Sequence, residues 1–207
     1  GVMFSSVIDY STAHGQFMAM SFDDDDPESW LDAPNLIDEA LSDEQSLTAA
    51  ARNAAGGKQT VTTPRLMSPA FAGDGSRKAP IVLIGAEYGR EKHIFSLDDR
   101  MFEGGFDDGG IVIGKKLADA LSLGMGDEMR VQASTSDGAP NLDYWVIAGI
   151  YSTGYPEMDR SIAFISLADA QSFLSADGKI NKIYCRIAEN NDSIARKDGI
   201  AAILADE

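Results

Sequence analysis

The stretch G-G-I-V-I-G-K-K-L-A-D-A-L-S-L-G-M-G-D-E-M-R-V, from Gly109 to Val131, decides the fold of this chain. Residues 111–113 form an apolar run of β-branched side chains bounded by glycines, which predicts a strand. Residues 115–121 predict a helix, because their apolar side chains share one face at helical spacing. Residues 128–133 alternate polar and apolar side chains, as a half-buried strand does. The stretch by itself predicts a compact strand–helix–strand unit inside an α/β domain.

Glycines are expected to set the boundaries within and beyond this stretch. Gly114 is expected to let the chain turn between the first strand and the helix, and Gly124 to end the helix in the left-handed conformation. Gly126-Asp127 predicts a turn before the second strand. Farther along the chain, Asp137-Gly138 predicts a tight hairpin between two strand-like runs.

The composition of the chain limits the function classes open to it. Its 207 residues and 44% hydrophobic content suffice for a folded core, as one large domain or two small lobes. Lys and Arg number 17 against 33 Asp and Glu, a net charge of −16. This charge argues against binding to nucleic acid or to an anionic membrane surface. No apolar run approaches the ~20 residues of a membrane span, and no signal peptide is recognisable.

Residues able to carry catalysis or bind a metal are sparse in the sequence. His14 and His93 are the two histidines, and Cys185 is the single cysteine. Cys185 is expected to be a buried thiol on the apolar side of a strand. Serine-elbow and P-loop motifs are absent from the sequence, and the acidic run Asp23–Asp26 lacks the spacing of a calcium loop. We therefore predict no catalytic residue, no cofactor and no metal site.

The other elements are predicted from the same patterns of apolar spacing, caps and turns. Strands are expected at residues 16–22, 59–67 with an interruption at Pro64, 81–86, 144–151, 162–165 and 180–188. Helices are expected at residues 35–53 with a break near Ser42, after a cap at Ser166, and at 191–204. A helical turn is expected at 97–101. Residues 72–80 and 155–160 are expected to be surface connections.

The order strand–helix–strand at each end of the chain predicts an α+β fold. Two such units are expected to pair as one discontinuous, split βαβ lobe, formed by residues 1–68 and 156–207. The intervening residues 69–155 are rich in predicted strands. They are expected to form a second lobe inserted into the first.

Three blocks in fixed order carry a resemblance to a known family. They are I-V-I-G-x-x-L-A-x-x-L-x-L-x-x-G-D from Ile111, V-I-A-G-I-Y-S-T-G from Val146, and an apolar strand followed by S-L-A-D-A-Q-S-F-L from Ser166. I-V-L-I-G-A at Ile81 and F-E-G-G at Phe102 precede them. Together these blocks resemble the extracytoplasmic core domain of ATP-binding cassette (ABC) transporter permeases of the FtsX, MacB and LolC/LolE type.

The resemblance implies a MacB-like periplasmic core domain with two lobes, lying between membrane helices of an inner-membrane permease. It is nearest the lipoprotein-releasing branch. Such a domain is not an enzyme; it couples ATP hydrolysis in the cytoplasm to lipoprotein release or export. The implied partners are a cytoplasmic ATPase subunit, reached through the full-length permease, a second permease copy or a sister subunit, and a lipoprotein or periplasmic protein, with no nucleic acid.

Two segments are predicted to contact a partner. Tyr155, Pro156 and Met158 put large apolar side chains into a short surface loop. Asp137 and Gly138 lie at the tip of the hairpin that is long in LolC-like relatives and recruits a carrier there. The hairpin is short in this chain, which argues against carrier recruitment by it and favours a LolE-like role or a related exporter. The alternative function is a small-molecule-binding or enzymatic α/β domain.

Overall fold

The computed structural model describes residues 15–18, 60–106 and 109–187. The described strands are β1 (Gly15–Met18), β2 (Thr60–Gly73), β3 (Lys78–Ala86), β4 (Met101–Gly104), β5 (Ile111–Gly114), β6 (Glu128–Ser134), β7 (Pro140–Tyr151), β8 (Ile162–Ser166) and β9 (Lys182–Ile187). The described helices are α1 (Tyr88–Ile94), α2 (Lys115–Leu121), α3 (Pro156–Ser161) and α4 (Leu167–Phe173), with a 3₁₀ turn at Asp98–Arg100. The predicted α+β fold class is confirmed.

Six of the strands pair in a closed ring. Strand β2 pairs with β3, β3 with β8, β8 with β5, β5 with β7, β7 with β6, and β6 pairs again with β2. The β3–β8 and β5–β7 pairs are parallel and the other four are antiparallel. Strands β9 and β1 extend the sheet beside the first half of β2, and β4 extends it beside β7. The ring therefore has an inner and an outer face, onto which successive side chains of each strand alternate.

The inner face holds the main apolar core. Every strand of the ring contributes to one buried cluster, which also includes the apolar faces of helices α2 and α4. A second, smaller cluster lies on the outer face, formed by Met67, Ile84, Ala86, Leu97, Val112, Tyr151 and Phe164. Side chains of residues 88–106 pack over this second cluster. The covered part of the outer face comprises residues of β2, β3, β8, β5 and the end of β7, and none of its residues comes from β6.

Strand β2 continues through Pro64, so the predicted interruption at this residue is wrong. Pro64 pairs with β9 through Ile183. It lies one residue before the first β2–β3 pair, Arg65 with Ala86, so β2 has a neighbour on one side only at this point. A missing backbone N–H is tolerated where a strand has an open side. The predicted surface connection at 72–80 shortens accordingly, since β2 reaches Gly73 and β3 begins at Lys78.

Strand β2 changes its neighbouring strand close to Pro69. The β9 pairs end at Arg65 and the β6 pairs begin at Ala70, which leaves a gap on that side of β2. The buried Asn181 side chain fills the gap: it accepts from the Met67 N–H at 2.9 Å and donates to the Met67 carbonyl at 2.8 Å. The backbone groups released by the change of neighbour are thus satisfied, as buried backbone requires. This side chain allows one long strand to belong to both the ring and its extension.

The central strand–helix–strand unit forms as predicted, with the helix spanning Lys115–Leu121. Two of its glycines act differently from the prediction. Ser122, with φ of 54°, takes the left-handed position after the helix instead of Gly124. Gly114 has an ordinary φ of −73°, and its role is spatial: a Cβ there would lie 2.2 Å from the Asp159 carbonyl oxygen. Gly114 therefore allows α3 to approach the end of β5.

Most other predicted elements are present with shifted ends. The strands at 81–86, 144–151, 162–165 and 180–188, the helical turn at 97–101 and the helix capped by Ser166 are all confirmed. Helix α1 was not predicted. The strand predicted at 16–22 is described at Gly15–Met18. The helices at 35–53 and 191–204 and the acidic run Asp23–Asp26 lie outside the described residues, and so does the side chain of Cys185.

The two-lobe division stays a prediction. Strand β8 belongs to the predicted discontinuous lobe, and it pairs on one side with β3 and on the other with β5, both from the predicted inserted lobe. Strand β2 contributes residues to both predicted lobes. The described strands of the two segments therefore share one hydrogen-bonded sheet.

Candidate functional site

A cluster of charged groups is buried beneath helix α1. The Arg65 guanidinium on β2 forms an ion pair with the Glu91 carboxylate on α1, and both side chains are about 5% exposed. The Thr63 hydroxyl donates to the other Glu91 oxygen at 3.2 Å. Burial lowers the pKa of Arg65, but the Glu91 carboxylate and Tyr184 more than offset this, so the net pKa is raised. Arg65 is therefore fully charged at any accessible pH.

Aromatic rings complete the surroundings of Arg65. Its guanidinium carbon lies 4.1 Å from the Phe95 ring centroid and 4.6 Å from that of Tyr184. These contacts are within the range of cation–π attraction. The cluster therefore attaches α1 to β2 and β9. Its burial makes it a structural element, because no ligand could reach the charges without displacing the helix.

No metal-binding arrangement is present in the described part of the chain. Within residues 60–106 and 109–187, no three His, Cys, Asp or Glu side chains come together in a way that could hold an ion. His93 lies on α1, where burial and then the nearby Lys92 lower its pKa. Burial also raises the pKa of the neighbouring Asp98 carboxyl, and Lys92 opposes this. The three residues thus form a mixed-charge group at the surface.

Two shallow depressions flank Tyr88. One, of 470 Å³, is lined by Lys92, Asp98, Met101 and Phe106 among others. The other, of 490 Å³, lies at the carboxyl ends of the parallel strands β3 and β8. Both are open to solvent. The second is lined by a serine–carboxylate pair, in which the Ser166 hydroxyl donates to Asp169 Oδ2 at 2.5 Å, and the same hydroxyl accepts from the Asp169 N–H as the cap of α4. They do not form a recognisable catalytic site.

The predicted partner-contact loop at 155–160 is a helix, so that part of the prediction is wrong. Helix α3 spans Pro156–Ser161 and has Pro156 in its first turn, where the missing N–H is not needed. Tyr155 and Pro156 are exposed. Met158 is half-buried and packs against the outer-face cluster. Two of the three predicted contact side chains are thus available to a partner, and the third is mainly packing.

A buried carboxylate fixes the segment before α3. Asp159 is 2% exposed. Its Oδ1 accepts from the Thr153 N–H at 2.9 Å and from the Thr153 hydroxyl at 2.6 Å. The Tyr151 hydroxyl lies within 3.0 Å of the Met158 carbonyl oxygen, and burial and then the Asp159 charge raise the pKa of Tyr151 well above its usual value. These bonds connect the backbone before Tyr155 to the helix that begins at Pro156 and so fix the position of both residues.

The predicted hairpin at Asp137-Gly138 is confirmed, and its tip lies on the body of the protein. Gly138 has φ of 81°, the left-handed conformation that the turn needs. The Ser136 N–H donates to the Leu174 carbonyl at 2.8 Å and its hydroxyl to the Ser175 carbonyl at 2.6 Å. The tip is thus attached to the end of α4. Asp137 and Gly138 remain exposed at its outer side.

The structure does not bring the two predicted contact segments together. The hairpin precedes β7 and Tyr155 follows it, and β7 is 12 residues long. At about 3.3 Å per residue, the two ends of the strand lie about 36 Å apart. The hairpin tip and the start of α3 therefore cannot form one small contact site.

A third surface was not identified from the sequence. Four of the seven exposed large apolar side chains in the described part of the chain lie together on the outer face of the ring: Phe71, Leu142, Tyr144 and Val146. The run L-D-Y-W-V-I in β7 is apolar on both faces of the strand, which could have indicated this surface. The inner positions Trp145 and Ile147 are buried, whereas the outer ones are not.

The described residues include no helix that has both the length and the apolar character to span a membrane. This finding concerns residues 15–18, 60–106 and 109–187.

Comparisons with known proteins agree with the ordered motifs. No family model matches the chain. The chain is 26% identical over 114 residues to the lipoprotein-releasing system transmembrane protein LolC of Xylella fastidiosa strain Temecula1, and equally to that of strain 9a5c. The match spans 50% of this chain and 28% of each relative. The resemblance to the permease family drawn from the motifs is thereby confirmed.

The chain is also similar to two solved structures, one of a periplasmic region and one of an extracellular domain. The periplasmic region of MacB from Actinobacillus actinomycetemcomitans has a TM-score of 0.45 and 12% identity, over 76% of this chain and 72% of that one. The extracellular domain of the noncanonic ABC-type transporter YknZ from Gram-positive bacteria has a TM-score of 0.49 and 14% identity, over 77% of this chain and 81% of that one.

Proposed function

We propose that this chain is a periplasmic domain of the permease subunit of an ABC transporter in the inner membrane, and that it is not itself an enzyme. The observation that carries the proposal is the 26% identity to LolC over half of the chain. The segment matched is little more than a quarter of the relative, so the activity of the whole transporter is part of the proposal. The chain acts mechanically, by passing on motion that ATP hydrolysis generates in a separate cytoplasmic subunit.

The cargo that we propose is a lipoprotein, released from the membrane or exported. Support comes from the name of the LolC relatives and from the S-L-A-D-A-Q-S-F-L block, which forms helix α4 after the Ser166 cap. The proposed partners are the cytoplasmic ATPase, a second permease copy or a sister subunit, and a lipoprotein or periplasmic protein. The acidic charge of −16 supports the absence of nucleic acid among them.

Reconstitution of the full-length permease tests this function. The permease and its ATPase would be placed in proteoliposomes with a fluorescent lipoprotein and, as a matched control, the same protein without its lipid anchor. We expect ATP-dependent release of the anchored form only. ATP hydrolysis that continues normally while neither form is released would contradict the lipoprotein assignment, and a permease that does not assemble with an ATPase would contradict the transporter assignment.

Within this function, we propose that Tyr155 and Pro156, with Met158 beneath them, contact the cargo, an adaptor or the second permease copy. Tyr and Met are enriched at protein interfaces, and the Thr153–Asp159 bonds hold this segment rigid. Asp137 and Gly138 are a second proposed contact. Their short, attached hairpin favours a LolE-like role or a related exporter over carrier recruitment.

The double variant Tyr155→Ser, Met158→Ser, compared with each single change, separates contact from packing. Export by the full transporter is expected to fall severalfold. Tyr155 is exposed, so Tyr155→Ser alone should change the melting temperature of the chain by less than about 2 °C. Met158→Ser alone should lower it by several degrees, because Met158 packs on the outer-face cluster. Unchanged export by the Tyr155→Ser transporter would exclude a contact through this side chain.

A further inference from the structure

The uncovered part of the outer face is built from in-register rows of exposed side chains. Pro80 on β3 pairs with Phe71 on β2, Phe71 with Gln132 on β6, and Gln132 with Leu142 on β7. The side chains of Pro80, Phe71 and Gln132 point outward, because neighbours along their strands belong to the inner core. Leu142 pairs with Gln132 and is exposed, so it lies on the same face. This first row therefore crosses four strands and presents three apolar side chains around one amide.

A second and third row continue the same surface. Lys78, Gly73, Arg130 and Tyr144 pair in that order across the same four strands. Val146 pairs with Glu128 beyond them. Tyr144 is 58% exposed and Phe71 is 52% exposed, although both lie within strands rather than in loops. We call the surface formed by Phe71, Pro80, Leu142, Tyr144 and Val146 the outer apolar face.

Two cations border the outer apolar face, and neither is in an ion pair within the described part of the chain. Lys78 donates to the Gln132 side chain at 3.2 Å and lies 5.9 Å from the Phe71 ring centroid. Arg130 has its Nε buried with no hydrogen-bond partner among the described residues. The ion pairs found within residues 60–106 and 109–187 involve neither of them. In a chain with about twice as many acidic as basic residues, two unpaired cations beside an apolar surface provide a place for carboxylates.

We propose that the outer apolar face docks a protein partner whose contact surface combines apolar side chains with carboxylates. Aromatic side chains and arginine, with few other charges, are typical of the centre of protein interfaces, and contiguous exposed apolar surface on a folded domain marks an interaction site. A carboxylate of the partner would pair with the accessible part of the Arg130 guanidinium and with Lys78, and apolar side chains would cover Phe71 and Tyr144.

The charges argue against a second copy of this chain as the occupant. Two identical faces in contact would bring the cations Lys78 and Arg130 of one copy towards those of the other, with the single anion Glu128 to offset them. Two chains of net charge −16 also repel one another at long range. The inference concerns the surface alone and holds whether or not the chain belongs to a transporter, so its failure is distinct from that of the proposed function.

The test selects from a library of random peptides displayed on phage against the immobilised full chain. We expect enrichment of peptides that combine apolar residues with Asp or Glu. Phe71→Thr and Tyr144→Thr should each reduce binding of the selected peptides about tenfold, and Lys78→Gln with Arg130→Gln should abolish the preference for acidic residues. Phe102→Thr is the matched control, since Phe102 is 56% exposed but lies on β4, and it should leave binding unchanged.

Three outcomes would overturn the proposal. The first is no enrichment, or selected peptides that lack acidic residues or bind the face variants as well as the native chain. The second is a melting temperature that falls by more than about 5 °C in Tyr144→Thr, which would mean that the face is packed within the chain. The third is a dimer in size-exclusion chromatography that Tyr144→Thr dissociates, which would make a second copy the occupant.

Discussion

Replacing Leu117 by Asp is expected to unfold the chain. Leu117 is completely buried on the inner face of α2, in contact with the main apolar core. The change removes a buried leucine, at a cost of about 2–5 kcal/mol, and puts a carboxylate where no described group pairs with it, at a cost of several kcal/mol more. Because a domain is stable by only about 5–15 kcal/mol, these losses together reach the whole reserve.

Circular dichroism and the yield of soluble protein would measure this effect. Lys116→Asp is the matched control, since Lys116 is the next residue on the same helix and is exposed. It should change the free energy of unfolding by about 0.5 kcal/mol or less. A Leu117→Asp chain with the native melting temperature would show that the inner face of α2 does not belong to the core.

The second large effect is expected from Glu91→Ala. This change leaves the Arg65 guanidinium buried and charged beneath α1 without its partner. Breaking a buried pair on one side costs about 3–5 kcal/mol, because the remaining charge is uncompensated. We expect the melting temperature to fall by about 10 °C or more and α1 to become accessible to protease, since this ion pair attaches it to β2.

Two further variants test whether the unpaired charge of Arg65 causes this loss of stability. Glu87→Ala removes an exposed ion pair from the start of the same helix, where the Glu87 and Arg90 groups are 3.5 Å apart, and should cost less than about 1 kcal/mol. The double change Arg65→Met, Glu91→Leu removes both charges and should recover more than half of the loss. If the double variant is less stable than Glu91→Ala, the unpaired charge is not the origin of the loss.

Local patterns predicted the elements whose causes lie close together in the sequence. The apolar face of α2 recurs at helical spacing, the Asp137-Gly138 turn selects its own conformation, and Ser166 caps α4 by accepting from the Asp169 N–H. The same reasoning failed at Pro64 and at α3. Pro64 was taken to interrupt a strand, but a strand with an open side tolerates proline. Residues 155–160 were taken as a loop from their turn composition, but Pro156 lies in a first helical turn, where proline is favoured.

The candidate contact surfaces were also only partly predictable from the sequence. The exposure of Tyr155 and of the hairpin tip followed from turn composition. The outer apolar face did not, because whether Tyr144 or Trp145 is buried depends on which side of β7 becomes the inside of a ring. That choice is made by strands β2, β3 and β6, which are distant along the chain.

The sequence by itself determined the central unit and the hairpin, because each depends on residues a few positions apart. It also determined the α+β class and the family resemblance, because these depend on the order of local patterns along the chain and not on which of them are in contact. Only the tertiary structure decided the closure of the ring, the burial of Arg65 against Glu91 and the position of the outer apolar face. Arg65 and Glu91 are 26 residues apart, and nothing near either of them specifies a buried partner. Whether a charged or an apolar side chain is buried is decided only when strands that are distant along the chain pack beside it.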